Sequence, residues 1–168
     1  MAAIVVPIQL QIITALQELL RDNLNDLLTA TGEEPLADSA FAPVTPTYGL
    51  VGDTVAVSYA GALRPTRDDR NDKLRLLETH RDSLIAVVVS IFAYAASDQA
   101  AQARAIALEY AVVSLLDDRA HRYLGGLIDQ PVLVGTTVAD YGEDQDRSAM
   151  YWELQIPLTL RVRTTRPE

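Results

Sequence analysis

Apolar residues near the start of the chain recur at steps of three and four: Ile8, Ile12, Ile13, Leu16, Leu19, Leu20, Leu24, Leu27 and Leu28. That spacing gathers them on one face of a helix, with Gln9, Gln17, Glu18, Arg21, Asp22 and Asn25 on the wet side. Pro7 suits the first turn, and Gly32 suits the exit, where a left-handed residue ends a helix at least cost. The pattern predicts a helix from Ile8 to Leu28. Beyond it, Pro35, Pro43, Pro46, Gly49 and Gly52 interrupt regular structure repeatedly, so 33–52 reads as an ordered, Pro-rich loop or arm.

The period then changes. Thr54 to Ala60 alternates Val55, Val57 and Tyr59 with smaller or polar neighbours, which predicts a strand with one buried face. Arg64 to Asp82 is charged throughout, with little apolar content beyond Leu74, Leu76 and Leu77, and cannot fill a core. It reads as a projecting hairpin loop over about 61–82. Ser83 to Ala95 is rich in Val and Ile without alternation, which predicts a central strand covered on both faces by helices or by a neighbouring subunit. A carboxylate at Val88 would then be costly.

Ser97 or Asp98 can cap a second helix over Gln99 to Leu116. Its apolar face is expected to run through Ala103, Ile106, Ala107, Tyr110 and Val113, widened by Leu108, Val112 and Leu115. Gly125 and Gly126 close the helical region. Pro131 to Tyr141 and Ala149 to Arg163 read as a terminal hairpin around the acidic tip Gly142 to Asp146. In its last strand Met150, Trp152, Leu154, Ile156, Leu158, Leu160 and Val162 alternate with polar partners. Pro157 lacks an amide proton, which argues for a sheet edge or a bulge there.

Together these elements predict a single α+β domain over 1–168: a mainly antiparallel sheet packed by two main helices, with a long charged hairpin loop. Length agrees, since 168 residues bury one sizeable core rather than two. With 49% hydrophobic and 22% charged residues the chain belongs among folded proteins. The first basic residue is Arg21, so no secretory leader is expected, and the apolar run from Leu84 to Ala96 is too short to span a bilayer.

Charge and side-chain chemistry then narrow the function. A net charge of −9 speaks against a general nucleic-acid coat, which needs a cationic face. The absence of cysteine excludes disulfides, thiol catalysis and thiolate zinc sites. His80 and His121 lack the spacing to share a metal on one helix face. The turn Gly49 to Asp53 has no Lys and Ser or Thr to complete a phosphate loop. Glu143, Asp144 and Asp146 lack the later Glu of a calcium loop and read as a solvated tip. No Gly-x-Ser-x-Gly nucleophile elbow occurs. No catalytic, cofactor or metal residue is assigned, and an enzyme is not expected. Trp152 reads first as core packing and second as interface packing, and the Arg-rich loop as a solvated excursion or a partner-binding arm.

The order helix, loop, strand, charged loop, central strand, helix and two long strands resembles the tail terminator proteins of tailed bacteriophages. So does the run Ala149-Met-Tyr-Trp-Glu-Leu-Gln-Ile-Pro-Leu-Thr-Leu-Arg-Val-Arg163. The resemblance covers nearly the whole length and lies in layout rather than in a chemical signature. It implies a homo-oligomeric ring, a hexamer, at the virion neck. Such a ring, assembled in the host cytoplasm, caps the tail tube, ends its polymerisation and joins the tail to the head connector or stopper. Genome DNA passes through without specific binding, and no membrane or cofactor is involved. Residues expected at subunit or partner contacts are Arg64, Arg67, Arg70, Lys73, Arg75, Trp152, Arg161 and Arg163. The alternatives are another neck protein, such as a connector or stopper, and a small-molecule-binding α+β module or uncharacterised enzyme.

Overall fold

The computed structural model describes residues 7–42, 52–63, 80–144 and 148–165, with the side chains of 42, 63, 80–83 and 163–165 outside that description. Helix α1 spans Ile8–Ala30, two residues past the predicted end, and buries Ile12, Leu16, Leu20, Leu24 and Leu28 along a single i, i+4 ridge. Its exit is the glycine cap expected. Gly32 has φ 80, and the amides of Gly32 and Glu33 reach back to the carbonyls of Thr29 and Leu28 at 3.1 and 2.8 Å.

The segment behind α1 is no free arm. Asn25 grips the backbone of Leu36 from both sides, donating to its carbonyl at 2.9 Å and accepting from its amide at 2.7 Å. Leu36 and Ala40 are buried, and a turn of 3-10 helix at Asp38–Ala40 leads into the short strand β1, Phe41–Ala42. The rest of the Pro-rich stretch, 43–51, lies outside the described residues.

Strand β2 (Thr54–Leu63) and strand β3 (His80–Ala95) pair antiparallel from Thr54↔Phe92 to Leu63↔Leu84. The register slips by one between Tyr59 and Gly61, a bulge at Ala60 that Gly61 accommodates at φ 136. The charged loop is therefore shorter than expected: Gly61 to Leu63 and His80 to Asp82 belong to strands, and 64–79 lies outside the described residues.

Helix α2 (Asp98–Asp117) is capped by Ser97, whose hydroxyl accepts from the amide of Ala100 at 3.3 Å. After a 3-10 turn at Leu124–Gly126 come β4 (Leu133–Val134), β5 (Val138–Asp144) and β6 (Ala149–Thr165). The sheet has the order β1-β2-β3-β6-β4, with β5 beside β6 on the β4 margin, and is antiparallel except for β1 against β2. This is an α+β fold, a mainly antiparallel sheet packed by two helices on one face.

One hydrophobic core joins the α1 ridge, the buried side of α2 and the inward residues Val55, Val57, Ile85, Val87, Val89, Ile91, Leu154, Ile156, Leu158 and Leu160. Two expectations need correction here, and a third is narrowed. β3 is central, and helices cover one of its faces: on the other, Leu84, Ala86, Val88, Phe92 and Tyr94 are half-buried, and among the described residues of that face Ser90 alone is buried. The core side of α2 is Ala101, Ala105, Leu108, Ala111, Val112, Leu115 and Leu116, whereas Ile106 is 54% and Tyr110 66% exposed. Ala103 is exposed as well. Apolar residues surround this helix, so their spacing does not select a face; the small alanines let it sit close to the sheet.

The second correction concerns Pro157. β6 is an interior strand and pairs with β3 without a bulge along its whole length, Pro157 lying opposite Val88. The carbonyl of Pro157 accepts from the amide of Gly135 at 2.8 Å, on the β4–β5 side. Backbone nitrogen and carbonyl of one residue point the same way in an antiparallel ladder. The missing N–H therefore faces the break between β4 and β5, where no ladder asks for it.

Candidate assembly surfaces

Two hydrogen bonds fix which backbone groups of β6 face outward. The carbonyls of Pro157 and Arg161 accept from Gly135 and Asp129, so the odd-numbered residues of β6 turn their backbone groups towards β4 and β5. Their partners in β5 are Val138, Asp140, Gly142 and Asp144, which point inward. Ala139, Tyr141 and Glu143 consequently aim N–H and C=O away from the sheet. Among the described residues no strand lies beside them. The amide of Tyr141 shows the result directly: it donates to the carboxylate of its neighbour Asp140 at 2.9 Å, not to a strand.

That free margin carries large apolar side chains. Leu133, Val138 and Tyr141 are 61–62% exposed. Pairing places Leu133 and Val138 on the sheet face away from the helices, with Thr159 and Gln155. Tyr141 lies on the helix side, stacked on Trp152 with ring centroids 4.9 Å apart and planes 16° from parallel. The Trp152 indole N–H donates to Asp98 at 2.8 Å, which ties β6 to the first turn of α2. Trp152 is thus half-buried at the border of the core, and its outer partner is exposed. Farther along α2, Glu109 accepts from the hydroxyl of Thr137 in the β4–β5 break. Ile106 and Val113, three and four residues from Glu109, lie on that same flank.

Only part of the expected contact set is joined by the structure. Arg64, Arg67, Arg70, Lys73 and Arg75 fall in 64–79, outside the described residues. Arg161 and Arg163 sit near the far end of β6, opposite Leu84 and Asp82, and Trp152 sits near its start. His121 is half-buried in the turn after α2, and its amide bonds the carbonyl of Asp118. Gly142 to Asp144, read as tip, are the last residues of β5. Among the described residues no group of three or more His, Asp or Glu could hold a metal, and no helix is long and apolar enough to cross a membrane.

The most tightly bound polar group went unnoticed in the sequence. Arg104, 14% exposed, donates to Asp53 at 2.8 Å, to Glu33 at 3.2 Å and to the carbonyl of Glu34 at 2.6 Å. Asp53 in turn accepts from the amide of Tyr94 at 3.0 Å. One guanidinium therefore pins α2 to the segment behind α1 and to the start of β2. A lone cation within an alanine-rich helix was the available signal, but its partners are 51 to 71 positions away. A cleft of about 480 Å³ opens beside it, lined among others by Leu36, Ser39, Asp53 and Thr54. Each guanidinium nitrogen already donates inside the protein, so this cleft presents a braced wall, not an idle cation.

A scan against protein-family models finds no match, and a search among curated proteins finds none either. What the structure offers is a strand margin with no neighbour among the described residues, exposed apolar side chains beside it, and a polar network that braces α2.

Proposed function

We propose that this chain is a structural virion protein, the subunit of a ring that caps the tail tube of a tailed phage, ends tube polymerisation and joins the tail to the head connector. One observation carries the reading. The β4–β5 margin leaves Leu133, Val138 and Tyr141 exposed beside backbone groups that no strand among the described residues pairs, in front of a core of buried apolar residues. Exposed apolar area next to an open ladder is what a chain uses to hold another chain.

The element order supports the same reading, since it is the layout on which the resemblance to tail terminators was drawn. The ring would take the tail tube protein on one side and a connector or stopper on the other, with six copies as the expected number. Its net charge of −9 suits a lumen through which DNA slides without being gripped. No catalytic residue or cofactor belongs to this function.

Adding the purified full chain to growing tail tubes tests it. Tubes should stop lengthening, and electron micrographs should show a ring of the chain at the tube end nearest the head. Tubes that keep growing with bare ends, or particles with no density for the chain at the neck, would overturn the reading. A connector or stopper would share these surfaces, and density separated from the tube end by another ring would identify one.

A further inference from the structure

Along β5 apolar and acidic side chains fall at fixed places on each face of the sheet. Tyr141 and Glu143 share the helix side with Ala139, and Val138 and Asp140 share the other face with Gly142. Val138 and Tyr141 are 62% exposed, Asp140 and Glu143 are exposed carboxylates, and β5 contains no cation. The ring of Tyr151 fills the space over Gly142, where a Cβ would meet its hydroxyl at 2.9 Å. The rim therefore carries an aromatic ring on both faces, Tyr141 on Trp152 and Tyr151 over Gly142.

Two copies of this margin repel one another. Pairing β5 with itself would gather Asp140 and Glu143 from both chains along one seam, and the strand holds no cation to answer them. A cationic strand meets no such conflict, and the chain as a whole, at −9, draws cationic partners. The exposed amide of Tyr141 is covered by the carboxylate of its neighbour Asp140 at 2.9 Å. A partner carbonyl can take that amide and leave the carboxylate to a cation.

We propose that β5 takes up an antiparallel strand from a basic partner protein, in the order cation, any residue, apolar residue, cation, any residue, apolar residue. The first cation lies opposite Glu143, the first apolar residue opposite Tyr141, the second cation opposite Asp140 and the second apolar residue opposite Val138. Partner residues opposite Glu143, Tyr141 and Ala139 each exchange two ladder bonds with β5, since those three turn their backbone groups outward. The main-chain bonds supply strength, and the cross-strand pairs, opposite charges and aromatic with branched residues, supply selectivity. This contact rests on the reading of the margin as the surface that holds another chain. It gives the margin to the tube or connector protein and leaves the copy-to-copy contacts of the ring to other surfaces.

Fluorescence anisotropy of a labelled peptide, Lys-Thr-Val-Lys-Thr-Val between Gly-Ser ends, titrated with the full chain, tests it. This peptide should bind. A reordered peptide of the same composition, Lys-Lys-Val-Val-Thr-Thr, should bind about tenfold more weakly or worse, and so should the first peptide N-methylated at its first Val, which has lost its donor to Tyr141. Asp140→Lys with Glu143→Lys should weaken binding of the Lys peptide by a similar factor and create binding of the peptide with Glu in place of Lys. The melting temperature should hold, since both side chains are exposed. Equal binding by the reordered peptide, or no binding at the highest soluble concentration, overturns the strand contact. So does a wild-type oligomer that Ala139→Pro takes apart in light scattering, because the margin is then filled by a second copy. Tubes that keep growing in the presence of a chain that binds the patterned peptide overturn the ring reading alone.

Discussion

Arg104 and Asn25 hold the same stretch of chain by different chemistry. Arg104 is a half-buried cation between two carboxylates, and taking it away leaves Asp53 against the amide of Tyr94 with no counter-charge. Breaking a partly desolvated pair on one side leaves the other charge without its partner. Arg104→Ala should therefore lower unfolding stability by about 2 kcal/mol, less than for a fully buried pair because solvent screens the partners, read from the urea midpoint at unchanged slope. Asn25 is neutral, and its amide satisfies both backbone groups of Leu36. Asn25→Ala should cost about 1–2 kcal/mol in the same titration and loosen the 33–40 segment to proteolysis. Neither role is visible in the local sequence. Asn25 occupies the polar side of an amphipathic pattern, and its partner lies beyond the helix end.

Among elements, legibility followed how one-sided each was. In α1 every leucine on the ridge faces the core, so period alone located the helix, its face and its glycine exit. In α2 the apolar residues run all round, and the alanines that face the sheet are quieter in sequence than the exposed Ile106 and Tyr110. β3 was legible only in part: Val and Ile at consecutive positions suggested two covered faces, and the chain's own helices cover one. The neighbours Val88 and Val89 separate the cases. Val89 is fully buried under the helices, so Val89→Asp should cost about 3 kcal/mol or more. Val88 is half-buried opposite Pro157, and Val88→Asp should cost roughly 1 kcal/mol. Equal losses on thermal melting would mean that both faces are sealed. The hairpin of β5 and β6 was legible from alternation, but the break opposite Pro157 was not. Whether a proline amide is missed depends on which neighbour it faces, and that is a property of the sheet.

At the scale of the whole molecule the described residues form a plate, with helices on one broad face of the sheet and half-buried residues on the other. The architecture was readable from sequence; the strand margin along β5 was not, because a margin is defined by what does not pair with it. Pro157 adds something to this picture. Sliding β5 two places along β6, towards the proline, would set a β5 carbonyl against a nitrogen that has no proton to give. That slip forfeits a ladder bond, so the proline works as a stop that fixes how far the hairpin can zip. A single ring-shaped residue in the middle of the longest strand thereby sets the length of the acidic margin at the sheet's rim, and with it the footprint available to any neighbour.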